Sequence, residues 1–102
     1  MIWLRARTPA PPEPLLMRMG SALRETGPGL PLPAALAAAA LPRLQAAIAL
    51  GDARAAAYDL LAADALLSYA FEAAAELGLE SVSAVAETYG PARIAPLIAT
   101  EE

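Results

Sequence analysis

The chain has no cysteine, no histidine, no lysine and no asparagine, and it carries a single tryptophan and a single phenylalanine. Without cysteine there is no disulfide framework, no thiolate nucleophile and no soft-metal site, and nothing argues for an oxidising compartment. Without histidine or lysine, the side chains able to move a proton near neutral pH reduce to carboxylates and tyrosines. Ser21, Ser68, Ser81 and Ser83 therefore have no usual base to activate them. Glu72 and Glu76 share a helical face, but two carboxylates are too few oxygens for a hard cation. No catalytic residue, metal or cofactor is expected.

Long uninterrupted apolar runs are also missing. The longest uncharged stretch, 26–42, contains four prolines and two glycines and falls short of the roughly 20 apolar residues a membrane span requires. The first seven residues place their apolar side chains ahead of Arg5 and Arg7, the reverse of a signal peptide. Membrane insertion is not expected, and the cytoplasm is the expected compartment. The net charge of −4 disfavours direct attachment to nucleic acid and suits a neutral or basic partner. The use of arginine alone as the basic residue, with abundant alanine, proline and glycine, reads as the coding bias of a GC-rich bacterial genome.

What is present is a single domain's worth of helix-forming sequence. At 102 residues and 58% hydrophobic content the chain can build one core, although alanine supplies much of that content. Residues 1–14, with Pro9, Pro11, Pro12 and Pro14, are expected to form an extended, proline-rich arm that either docks on another surface, or folds back over its own helices or stays disordered. Pro14 suits the first turn of a short helix in which Leu15, Met19 and Leu23 share a face, and Gly27-Pro28-Gly29 ends it. A helix over 34–50 follows, with Leu41, Leu44 and Ile48 on one stripe and Pro42 either kinking it or dividing it in two.

Gly51 is placed to cap that helix and Asp52 to start the next. The longest signal, 53–77, is free of proline and glycine and puts Leu60, Leu67 and Phe71 together as its buried side. A shorter helix over 80–89 carries Val82, Val85, Ala86 and Tyr89, and a last turn over 92–99 is disrupted by Pro96. The fold class read from this pattern is all-α: a small four- to five-helix bundle or array behind a proline-rich N-terminal arm. The domain limits are an arm at 1–14, one helical domain at 15–99 and an acidic tail at 100–102.

Asp64 lies beside the stripe of Leu60, Leu67 and Phe71, so it is a candidate for a buried ion pair with Arg43 or Arg93; its other reading is a hydrated residue at the rim. The segment 61–72, Leu-Ala-Ala-Asp-Ala-Leu-Leu followed by aromatic residues, resembles a helix of the isoprenyl diphosphate synthases. The two DDxxD motifs that bind magnesium diphosphate in that family are absent, so no activity or site residue is carried over. Residues 79–99 have the outline of a helix-turn-helix, but the second helix would offer only Arg93 to a phosphate backbone.

The function expected is a non-catalytic protein-protein interaction module, self-associating as a homodimer. Trp3, Leu4, Leu15, Met19, Tyr58 and Tyr69 are its candidate contact residues. A carrier of a small apolar ligand between helices and a helical accessory of a nucleic-acid-handling complex are the other readings.

Overall fold

A computed structural model describes residues 2–51, 54–90 and 95–96. Among these residues the chain is helical with no strand: α1 Ile2–Arg5, α2 Glu13–Thr26, α3 Leu32–Leu50, α4 Arg54–Leu77 and α5 Leu79–Tyr89. The expected all-α array is what the structure contains. Asp52, Arg93, most of the turn expected over 92–99 and the acidic tail lie outside the described residues.

Two helices start by the same device. Pro12-Glu13-Pro14 and Pro31-Leu32-Pro33 each put an extended proline at the N-cap and a second proline in the first turn. The first supplies a carbonyl that accepts the N–H four residues on, Leu16 at 2.9 Å and Ala35 at 2.8 Å. The second lacks an N–H at a position where that donor has no helical partner anyway. The repeat of this motif moves the start of α3 two residues earlier than the expected 34, converting part of an expected connector into helix.

Pro42 does not divide α3. It stands exposed inside one helix from Leu32 to Leu50, where it removes the hydrogen bond to the Ala38 carbonyl but is surrounded by strong helix formers. Gly51 ends the helix with φ +64°, a left-handed conformation natural to glycine, and its N–H donates to the Ala47 carbonyl at 3.1 Å. At the far end of α5, a side chain on Gly90 would run into the Ala86 carbonyl oxygen.

The most extensive contact is between α3 and α4, with α2 packed across them and α5 against the end of α4. Alanine dominates this seam. The buried residues of α4 are Ala56, Ala62, Ala63, Leu66, Ala70, Ala73 and Ala74, of which the last five share one core cluster with Leu36, Ala37, Ala39 and Ala40 of α3. Methyl-sized side chains let the helix backbones approach closely, towards the lower end of the usual range of about 8–10 Å. The large core residues are Leu4, Leu16, Met19, Leu36 and Leu66.

The expected buried side of α4 is thus corrected: Leu60 is exposed, and Leu67 and Phe71 are only partly buried. The same shift affects α2, where Leu16, Met19 and Ala22 are buried while Leu15 and Leu23 sit at the margin. On α5, Val85 is buried, with Val82 and Tyr89 packed beside it, but Ala86 faces out.

By length and composition alone α3 is long and apolar enough to cross a membrane, with a mean hydropathy of 1.4 over the relevant window. The core helix of a water-soluble protein passes the same test, and α3 contributes Leu36, Ala37, Ala39 and Ala40 to the core here.

Candidate functional site

The N-terminal segment does not extend away from the helices. It opens with one helical turn, α1, and lies back on α4, correcting the expectation of extended backbone throughout 1–14. Leu4 is sealed in the core at 1% exposure. The Trp3 indole N–H donates to Glu76 Oε1 at 3.0 Å, and the ring meets Tyr69 edge-on with centroids 6.1 Å apart. The Arg7 guanidinium lies 3.9 Å from the Trp3 ring centroid and donates to Glu72 at 3.2 Å and Glu76 at 2.5 Å.

The acidic pair on α4 therefore serves as the seat of an arginine. Hydrogen bonds from Arg7, and then from Trp3, hold the Glu76 carboxyl below its ordinary value of 4.5, while the bonds to Glu76, and then to Glu72, raise the Arg7 guanidinium above its own.

A second charged cluster joins α2, α3 and α4. Arg43 donates to Glu25 at 2.5 Å and its other terminal nitrogen lies 3.8 Å from Asp59. Asp59, whose side chain is 14% exposed, fills the place expected of Asp64. Asp64 is exposed and makes no ion pair among the described residues. The reason is rotational: five residues separate the two aspartates, a turn of about 140°, so they occupy opposed sides of α4. Asp59 shares the side of Ala56, Ala63 and Ala70, whose seven-residue spacing is the signal that marks the buried face.

An apolar surface lies where α2 starts beside the first half of α4; Leu77 and Leu79, at the junction of α4 and α5, are also exposed. Pro12, Pro14, Leu15, Arg18, Tyr58 and Leu61 line a cleft of about 390 Å³. It adjoins a shallower depression over Ala57, Leu60 and Asp64, which shares Leu61. Tyr58, Leu60 and Leu61 are 45%, 52% and 53% exposed, three large apolar side chains within four positions of one helix. The Arg18 guanidinium lies 4.7 Å from the Tyr58 ring centroid, an arrangement that favours a cation over the electron-rich face of the ring.

Of the six expected contact residues, Leu15 and Tyr58 border this groove. Leu4 and Met19 are core residues with no surface for a partner, and Trp3 and Tyr69 pack against each other under the arm. Leu60, Leu61 and Arg18 were not expected. The spacing of large apolar residues puts Leu60 on the buried side, and Leu61 belongs to the surface only once alanine, not leucine, is the buried residue.

Among the described residues no group of three metal-binding side chains comes together. The polar groups of the cleft are Arg18 and the Tyr58 phenol, with Asp64 in the adjoining depression. The groove can exclude water from an apolar surface and orient that surface by one positive and one negative charge. Comparison with protein-family models, with curated proteins and with solved structures returns no match to this chain.

Proposed function

We propose that the protein is a non-catalytic interaction module that presents the α2–α4 groove to another polypeptide. The observation that supports this is the run of half-exposed Tyr58, Leu60 and Leu61 beside Leu15 and the two prolines that open α2. Large apolar side chains grouped on a surface mark places where a partner removes water. A tyrosine and an arginine at the margin are residue types enriched where binding energy concentrates.

The groove's volume lies within the range of small-ligand pockets, roughly 300–1,000 Å³. Five of the six lining residues are themselves exposed, however, so a small apolar ligand would remain largely in water. This favours a protein surface over the carrier reading.

The test is affinity capture by the full chain beside its Leu61→Arg variant, quantified by mass spectrometry. A protein retained in stoichiometric amount by the first and lost by the second, whether another copy or a different chain, supports the module. Equal retention by both, or none by either, overturns it. Native mass spectrometry showing a co-purified lipid or pigment on a single chain would replace it with the carrier reading.

A further inference from the structure

The geometry points to a second copy of this chain as the occupant of the groove, docked about a two-fold axis through Leu61. This deepens the proposed function and rests on it. Tyr58 and Asp64 stand three residues before and three after Leu61. Each three-residue step rises about 4.5 Å and turns about 60° to one flank, so Tyr58 and Asp64 lie diagonally across Leu61 from each other. Arg18 sits on the Tyr58 side. The patch therefore has an apolar centre, a positive charge on one flank and a negative charge on the opposite one.

A surface of that kind is complementary to itself. A two-fold axis through Leu61, lying in the face and perpendicular to the line from Arg18 to Asp64, brings each guanidinium over the other copy's carboxylate. It also sets Leu61 against its own equivalent. That is the reciprocal pairing that an isologous dimer requires. Among the described residues neither Arg18 nor Asp64 makes an ion pair within its own chain.

The other end of α4 shows what Arg18 lacks. Arg7 also covers an aromatic ring, and there Glu72 and Glu76 complete the arrangement. Over Tyr58 the ring and guanidinium are in place and no carboxylate of the described chain reaches them. Local charge also disfavours a basic partner despite the net charge of −4, because the groove holds one arginine and one aspartate while Glu72 and Glu76 face the arm.

The decisive experiment is a charge exchange followed by sedimentation velocity, with the full chain at concentrations from about 1 µM to about 1 mM. The unmodified chain should pass from one chain's mass to two. Arg18→Glu and Asp64→Arg should each weaken association at least about tenfold, because like charges then face each other twice per dimer. Mixing the two variants in equal amounts should restore association, since every contact in the mixed pair joins opposite charges again. The doubly exchanged chain should self-associate as the unmodified one does.

A dimer indifferent to these exchanges would place the interface elsewhere and overturn the inference. A chain that stays monomeric throughout would overturn it too. If that monomer still captures a different protein through Leu61, the interaction module stands without the dimer; if it captures nothing, both fall.

Discussion

The two halves of α4 carry the same construction in different states of completion. Near its C-terminal end, Arg7 lies over Trp3 and is held by Glu72 and Glu76, all within one chain. Near its N-terminal end, Arg18 lies over Tyr58 with an open apolar groove beside it. The first cluster fastens a terminal segment to the bundle, and its residues contribute to stability. The second contributes little that the isolated chain can use. A cation over an aromatic ring therefore carries no single meaning: at one end of α4 carboxylates of the same chain complete it, and at the other none of the described residues does.

The comparison is sharpened first by a control that belongs to neither cluster. Leu66 lies on the buried face of α4 between them, so Leu66→Ala should cost about 2–5 kcal/mol in urea unfolding, whereas Leu67→Ala, only partly buried, should cost less than half of that. Equal losses at both positions would mean the buried face has been assigned to the wrong side.

Next in size is Trp3→Ala. Removing a half-buried indole that also donates to Glu76 should cost about 2–3 kcal/mol, below the range for fully buried aromatics, and should expose the flank of Tyr69. An unchanged melting temperature would show that the N-terminal segment does not fasten the bundle.

The fastened cluster should also respond to acid. Glu76 binds its proton less readily in the folded chain than in the unfolded one, because Arg7 and Trp3 both donate to it. Its contribution is therefore complete above its ordinary value of 4.5 and disappears as pH falls through the lowered folded value. Urea midpoints measured through the acid range should show this loss in the unmodified chain, and Glu76→Gln should remove that part of the pH dependence. A slope identical in the variant would assign acid sensitivity to other carboxylates.

The smallest effects belong to the groove. In dilute solution Asp64→Ala should change stability by no more than about 0.5 kcal/mol, as expected of an exposed position with no ion pair among the described residues. A loss above about 1 kcal/mol at Asp64 would return it to a structural role.

Much of the helical framework is legible in the residues themselves. Gly51 and Gly78 separate the helices, Pro14 lies in a first turn, and the absence of proline and glycine from 54–77 makes one long helix. The facing of those helices is less so. Ranking residues by size puts Leu60 inside and passes over Ala56, Ala63 and Ala70, yet a close helix contact has room for methyl groups and not for leucine. That single inversion made Asp64 a candidate for burial, hid Asp59 and concealed the groove, because each depends on which side of α4 faces α3.

The helical turn in the N-terminal segment is illegible for a different reason. Prolines at 9, 11, 12 and 14 speak only to the backbone around them, and Ile2–Arg5 lies upstream of their reach. Its docking depends on Trp3 meeting Tyr69 and Glu76, contacts spanning more than sixty positions that no local pattern reveals.

The row of alanines between α3 and α4 works as a gauge block. A glycine in the row would loosen the helix that carries it, and a valine would wedge the pair apart, so the spacing tolerates drift in neither direction. Since α4 bears the groove on one side and this row on the other, any change of thickness in the row would tilt the exposed face.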